Sequence, residues 1–148
     1  MNIIYLTYHE IDKKKWDDCI QHAVNGLIYA ESVYLDHLAA NWHALILGDY
    51  EAVMPLTWKR KWGIQYLYQP AFIQQGGIFS RKKLSEKTTR SFIEMASLKF
   101  RFAEININYL NIINAEKGIQ IKKRNNYVLA LGAGYNKISS KYNVYIKQ

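Results

Sequence analysis

Two strand-like segments joined by a tight turn limit the possible folds of this chain more than any other part of the sequence. Residues 42–47 form a short apolar run, and Gly48 and Asp49 follow as a turn signal. Over residues 52–59 the more apolar side chains recur at every second position, which is typical of a strand with one face more buried. Two such strands around a short connection predict an antiparallel hairpin. Pro55 lacks a backbone N–H, so we expect it at a strand edge or a bulge.

The rest of the chain alternates between helical and strand-like patterns. Asp12 is a predicted N-cap, and Trp16, Cys19 and Ile20 follow it at helical spacing. Further helices are predicted over residues 31–40, after Ser85 and over 135–142, and further strands over 3–8, 64–69, 103–113 and 126–131. The resulting order, β-α-α-β-β-β-α-β-β-α, predicts an α/β (α+β) fold with a mixed, mostly antiparallel central sheet flanked by helices.

Composition predicts one globular domain over residues 1–148. The apolar fraction of 49% and the charged fraction of 22% are ordinary for such a domain. Cys19 is the one cysteine, so a disulfide framework and a cysteine zinc site are both excluded. So few cysteines are typical of proteins in a reducing compartment. The N-terminus has no signal-peptide pattern, and no apolar run reaches about 18 residues, so we expect a cytoplasmic protein without membrane insertion.

The formal net charge of +8 favours anionic partners, among which nucleic acid, anionic lipid and phosphorylated substrates all qualify. Three basic clusters carry much of this charge: residues 59–61, 81–83 and 122–124. Each lies near a predicted strand or helix end, where solvated charge is usual. The candidate residues for anionic-substrate binding are Lys59, Arg60, Lys61, Trp62, Arg81 and Lys82. Trp62 belongs to this set because an aromatic face beside cations suits nucleotides.

The predicted element order is that of the acetyltransferase superfamily abbreviated GNAT, and four segments add a closer likeness. These segments are residues 42–46, 50–56, 66–70 and 74–80, and residues 124–131 are similar to a later strand. Together they resemble the N-terminal half of FemAB-type aminoacyltransferases, which carry two acetyltransferase-like domains in tandem. The likeness spans roughly residues 12–145. Gly76 stands where an apolar residue such as leucine is common in that family, and the helix that follows the last strand of the family's first half would begin near Tyr142 here and stop at Gln148.

This resemblance implies an acyl-CoA N-acyltransferase (GNAT)-like fold, and it implies that a second GNAT-like half, or self-association, would complete the protein. Fem-type enzymes take aminoacyl-tRNA as donor and a phosphorylated cell-wall precursor as acceptor. The resemblance therefore implies anionic partners, tRNA among them, with acetyl-CoA as the other possible acyl donor. We expect this chain alone to be inactive and to contribute acceptor binding.

A candidate acyl-CoA loop comprises Gln74, Gly76, Gly77 and Ser80. In the superfamily this loop needs small residues, because a pyrophosphate lies against backbone N–H groups at a helix N-terminus. Phe79 replaces one of the small residues, so the loop is degenerate. We favour its interpretation as a tight strand-to-helix turn in which glycine supplies a positive φ.

No catalytic residue can be named from the sequence. Glu51 lies at the predicted hairpin turn and should be solvated, and Glu104 has no obvious partner. A lone histidine in an apolar strand, as His43 is, is more often a hydrogen-bonded core group than a catalyst. Cys19 should be buried and inert, and Tyr127 should be packed in the core. The histidines show no metal-site spacing.

Two alternatives to a Fem-type half-domain stay open. One is a stand-alone acetyl-CoA-dependent N-acetyltransferase, which the degenerate loop disfavours. The other is a non-enzymatic basic domain that binds nucleic acid or a partner protein. That second alternative depends on charge and aromatic content alone, since no recognised nucleic-acid motif is present.

Overall fold

The computed structural model describes residues 2–115, 118–127, 132 and 134–140. The chain divides into two compact units, Met1–Asn114 and Ala115–Gln148, which we describe separately. The strands of the first unit are β1 (Ile3–Leu6), β2 (Trp42–Leu47), β3 (Ala52–Lys61), β4 (Ile64–Leu67), β5 (Phe79–Ser80) and β6 (Phe102–Ala103). Its helices are α1 (Lys13–Gln21), α2 (Ser32–Leu38) and α3 (Glu86–Lys99). The single domain over residues 1–148 stays a prediction.

A mixed sheet organises the first unit. The strands lie in the order β1-β2-β3-β4-β6, and β5 pairs with the other end of β3. Four of the five strand pairs are antiparallel, and β4 with β6 is parallel. The predicted mixed, mostly antiparallel sheet flanked by helices is therefore confirmed.

The predicted hairpin forms between β2 and β3. Its register runs from Leu47 opposite Ala52 to Trp42 opposite Thr57. In the turn, Gly48 and Tyr50 have φ angles of 61° and 59°, in the left-handed region. The Tyr50 hydroxyl accepts a hydrogen bond of 2.8 Å from the backbone N–H of Asp12, which ties the turn to the start of α1.

Each face of the sheet carries its own apolar core. On one face, α1 and α2 pack Trp16, Ile20 and Leu35 against alternate residues of β2, with Val53 of β3 and Phe79 of β5. On the other face, α3 packs Phe92, Ala96 and Phe100 against Leu45, Met54, Leu56 and Leu67. Because both faces are covered, β3 is buried on both sides along its first half.

Helix α1 begins where the sequence predicts. The Asp12 carboxylate accepts hydrogen bonds of 3.1 Å from the N–H groups of Lys14 and Lys15, so it is a true N-cap. Trp16, Cys19 and Ile20 form the buried stripe. The Trp16 indole N–H donates to the Ala30 carbonyl at 2.7 Å, which satisfies the polar atom of a fully buried ring.

The predicted strand over residues 103–113 is wrong in extent. Regular pairing ends at Ala103, and within residues 104–113 only Ile107 makes an isolated bridge, to Gly76. The cause is local, because the Asn108 side chain accepts the N–H of Leu110 and the Asn108 carbonyl accepts the N–H of Asn111. Asparagine amides compete with ladder hydrogen bonds in this way.

The second unit is described in part. Its one described helix is α4 (Tyr135–Ser139), which agrees with the start of the helix predicted over 135–142. Asn126 and Tyr127 have no regular structure, and residues 128–131 of the predicted last strand lie outside the described residues. Among the residues that the structure describes, no helix is long and apolar enough to cross a membrane.

Candidate functional site

Strand β3 is unpaired over its middle on the side away from β2. Its end at Trp58–Lys61 pairs with β4, and its start at Ala52 and Val53 pairs with β5. The Thr57 carbonyl accepts the N–H of Tyr68 on the same side, so within the described part of the chain only residues 54–56 face a gap. The Trp58 N–H donates to the Asn41 carbonyl on the β2 side, so by alternation the nitrogen of Pro55 points into the gap. The proline therefore costs no ladder hydrogen bond, in agreement with its predicted edge position.

A small cavity lies at this gap and is bounded by the candidate acyl-CoA loop. Its volume is about 20 Å³, and Pro55, Thr57, Gln69, Gly76 and Gly77 are among the lining residues. That volume is enough for one water molecule. Gln74 lies outside the lining, with its side-chain oxygen 3.4 Å from the Tyr29 hydroxyl.

Three backbone N–H groups of the loop are already occupied by hydrogen bonds within the protein. The N–H of Gly76 donates to the Asn106 carbonyl at 2.6 Å. The N–H of Ile78 donates to the Asn111 side chain at 2.6 Å, and that of Ser80 donates to the Asn25 side chain at 3.1 Å. A pyrophosphate held at these groups would have to replace all three acceptors.

Buried asparagines also hold the loop from the carbonyl side. The Ile78 carbonyl accepts from the side-chain amides of Asn25, Asn111 and Asn108, at 2.8, 2.9 and 3.2 Å. All three asparagines are buried. Buried polar groups that are fully hydrogen-bonded rigidify the structure around them, so the loop is fixed in one conformation.

The interpretation of this loop as a strand-to-helix turn is correct about its glycine and wrong about the element after it. Gly77 has a φ of 90°, which glycine alone adopts freely. The loop leads into β5 rather than into a helix, and α3 starts only at Glu86. The Phe79 ring is buried in the core beneath α1 and α2. Binding of acyl-CoA at Gln74, Gly76, Gly77 and Ser80 stays a prediction.

The first basic cluster lies on a two-stranded projection, which we call the β3–β4 ribbon and define as residues 58–67. Within the described residues, Lys59, Arg60 and Lys61 form no ion pair with a carboxylate. The Lys59 ammonium lies 4.3 Å from the centre of the Tyr68 ring, and the Lys61 ammonium lies 4.7 Å from the centre of the Trp62 ring. Trp62 is 89% exposed.

The ribbon register places lysines and apolar side chains on the same face. Lys59 is opposite Tyr66 and Lys61 is opposite Ile64, and directly opposed residues share a face. Phe102 of β6 is paired with Tyr66 and extends this face. Ile64 and Phe102 are 44% and 59% exposed, so the face combines accessible cations with accessible apolar surface.

The structure does not bring the second basic cluster to the ribbon. Arg81 follows β5, which pairs with the start of β3, whereas the ribbon is formed by its end. The roughly six residues between Val53 and Lys59 separate the two clusters by about 20 Å along the strand. Arg81 forms an ion pair with Asp18, while Lys82 is exposed. Residues 122–124 are exposed in the second unit.

His43 is a half-buried, hydrogen-bonded residue of the sheet, as predicted. Its Nδ1 accepts the N–H of Tyr8 at 3.1 Å, so the ring is neutral with its proton on Nε2. The ring stacks on Trp58 with 5.3 Å between centres and tilts against Tyr5. Burial lowers the pKa of His43, and the carboxylate of Glu10 offsets this in part.

The other candidate acid–base groups are not brought together. Glu51 and Glu104 are both exposed, as expected for Glu51. Cys19 is buried, and burial raises its pKa to about 11, so the thiol is inert as predicted. Tyr127 is 89% exposed and belongs to no strand of the described residues, which corrects its predicted core position. The described residues contain no metal-binding group of histidine, cysteine or carboxylate side chains.

Comparison with protein-family models, curated proteins and solved structures finds no match for this chain.

Sequence reasoning missed two sets of residues at these sites. Ile64, Tyr66 and Phe102 complete the ribbon face, and the first two could have been found from the two-residue turn, which fixes Lys61 opposite Ile64. Phe102 could not, because its pairing with β4 joins segments far apart in sequence. The second set is Asn25, Asn108 and Asn111, which surround the Ile78 carbonyl and which we call the asparagine bracket. Its contacts join segments far apart in sequence, and no local pattern marks these residues as partners.

Proposed function

We propose that this chain is an acceptor-binding domain of a Fem-type acyltransferase. One observation carries the proposal: the β3–β4 ribbon presents Lys59, Arg60 and Lys61 to solvent beside exposed apolar side chains, and none of the three has a carboxylate partner among the described residues. No acidic residue occurs between Glu51 and Glu86, so the ribbon itself carries only positive charge. Such a surface attracts a phosphorylated acceptor.

The arrangement of elements supports the same proposal. Up to β4 the elements follow the predicted order, and helices cover both faces of a mostly antiparallel sheet; the short strand β5 lies between β4 and α3, where none was predicted. In the proposed reaction an acceptor amine attacks an activated ester or thioester. The part of this domain is to hold the acceptor by its phosphate groups while the acyl donor is bound elsewhere.

Packing against a second GNAT-like half is part of the proposal. A half-domain should expose apolar side chains that its partner covers. Tyr109 and Ile112 are exposed large side chains within one irregular segment of the first unit, and Leu98 is exposed on α3. These residues are candidates for that covered surface.

Binding of a soluble phosphorylated cell-wall precursor, measured by calorimetry, tests the proposal. The variant Lys59→Gln/Arg60→Gln/Lys61→Gln should bind at least tenfold more weakly, because each lost charge contact to phosphate is worth about 1 kcal/mol or more. The matched control is Lys14→Gln/Lys83→Gln/Lys87→Gln, which removes the same three charges at exposed positions outside the ribbon and should bind nearly as tightly as the unaltered protein.

Equal losses in the two variants would mean that net charge rather than the ribbon governs binding. No binding by the unaltered protein would remove the acceptor-binding proposal.

A non-enzymatic nucleic-acid-binding domain is the second candidate, and the exposed Trp62 ring favours it, since aromatic faces beside cations bind bases. Its affinity for oligonucleotides would fall steeply with salt concentration as counterions are released. A flat salt dependence would remove this candidate.

A further inference from the structure

The end of the β3–β4 ribbon projects beyond the rest of the sheet. Strand β2 pairs with β3 only as far as Thr57, and β6 pairs with β4 only at Tyr66 and Leu67. Among the residues that the structure describes, no further strand therefore lies beside the pairs formed by residues 60 and 65 and by residues 61 and 64. A two-stranded projection is convex, so its tip can enter another surface.

Trp62 lies at this tip in a costly conformation. Trp62 and Gly63 have φ angles of 49° and 80°, which form a two-residue hairpin turn of the type that prefers asparagine or glycine. A bulky residue in the left-handed region is strained, because its Cβ lies close to the following carbonyl oxygen. Its ring is 89% exposed as well, so neither packing nor backbone preference explains a tryptophan at this position.

The side chains around the tip are those of a membrane-surface anchor. Tryptophan favours the boundary between lipid headgroups and acyl chains. Ile64 and Phe102 add exposed apolar surface, and Lys59, Arg60 and Lys61 add positive charge directly behind the tip. Basic residues close to an anionic bilayer each contribute about 1 kcal/mol of attraction.

The same geometry favours a bilayer over a nucleic acid. Single-stranded nucleic acids lie in grooves and stack their bases on free aromatic faces. The ribbon tip is convex, and lysine ammonium groups already cover one face each of Tyr68 and Trp62. An ammonium over the ring is compatible with lipid docking, because the ring enters the interface while the charge stays beside the phosphates.

We propose that the β3–β4 ribbon docks this protein on anionic bilayers, with Trp62 at the acyl–headgroup boundary and the basic residues at the lipid phosphates. This inference deepens the proposed function, from which it takes the anionic nature of the partner, and adds that the partner is a membrane surface. Docking of this kind is interfacial and requires no membrane-spanning helix.

Vesicle binding of the full chain tests the inference. The protein is sedimented with phosphatidylcholine vesicles and, separately, with vesicles of equal parts phosphatidylcholine and phosphatidylglycerol. Binding is expected only to the anionic vesicles. Lys59→Gln/Lys61→Gln should lower the partition coefficient about tenfold or more, and Trp62→Ala should lower it severalfold. Lys14→Gln/Lys87→Gln, the matched control, removes the same two charges outside the ribbon and should leave it nearly unchanged. All altered side chains are exposed, and circular dichroism checks that each variant is folded.

The outcomes separate this inference from the proposed function. If the protein binds the soluble phosphorylated precursor but not anionic vesicles, bilayer docking is wrong and acceptor binding stands. Vesicle binding that is unaffected by Trp62→Ala, or a higher affinity for a single-stranded oligonucleotide that Trp62→Ala abolishes, would also overturn docking. If the ribbon variants lose binding to both the soluble precursor and the anionic vesicles while the control variant keeps both, the two proposals are supported together.

Discussion

Single residues decide whether the loop at the gap keeps its shape. Gly77 combines a φ of 90° with close contact to the bracket, since a Cβ placed there would overlap the side-chain oxygen of Asn111 and lie 3.1 Å from the Cβ of Ile107. The asparagine accepts the N–H of Ile78, so displacing it leaves a buried donor unsatisfied. Conformation and packing therefore both require glycine.

Gly77→Ala should lower the free energy of unfolding by about 3 kcal/mol or more, the sum of left-handed strain and a disturbed buried hydrogen bond. The control is Gly63→Ala, where φ is 80° but no atom lies within 4 Å of the new Cβ. The free energy of unfolding of that variant should fall by only about 1 kcal/mol, the cost of the positive φ alone. Denaturant titration measures both, and similar losses would show that the bracket adds nothing.

At the scale of elements, the first half of the sheet was predictable because its signals are local. Turn residues and alternation define the β2–β3 hairpin, and Asp12 followed by apolar residues at helical spacing defines α1. The segment after Ala103 was not predictable. Its apolar residues alternate as in a strand, but the Asn108 side chain accepts the N–H of Leu110 and the Asn108 carbonyl accepts the N–H of Asn111, which turns the chain away from a ladder. The Asn108 and Asn111 side chains also bind Gly76 and Ile78, which are distant in sequence.

Asp12→Ala should lower the free energy of unfolding by about 1 kcal/mol, because the N–H groups of Lys14 and Lys15 lose their acceptor. Asp49→Ala is the matched control, since it removes the same charge and breaks only an exposed ion pair with Lys15. Its effect should stay within about 0.5 kcal/mol. Thermal unfolding of both variants checks this, and equal shifts would refute the capping role.

At the scale of the whole molecule, the class of fold and the position of one basic cluster could be predicted from the sequence. Which basic residues lie together in one site could not. The two clusters at residues 59–61 and 81–83 look equivalent in the sequence. Pairing of β3 with β4 at one end and β5 at the other separates them, and Asp18 neutralises Arg81. Such separation depends on strand order, which local patterns do not encode.

The buried thiol of Cys19 reports on the integrity of the first unit. With its pKa raised to about 11, the thiolate fraction at neutral pH is about a hundredfold below that of an ordinary thiol, and burial excludes reagents as well. Labelling by Ellman's reagent should therefore be slow in the native protein and fast in denaturant. Rapid native labelling would show that α1 detaches from the sheet without global unfolding.

The burial of β3 on both faces has a consequence for how this chain can change in length. Inserting one residue at the start of β3 would exchange the two faces, turning Val53 toward α3 and Met54 toward α1 and α2, and both cores would be lost together. Beyond Thr57, β2 no longer pairs with the strand. Beyond the Lys59–Tyr66 pair, matched insertions of two residues in each arm preserve both the pairing and the faces and lengthen the ribbon, so its length can vary while its base cannot.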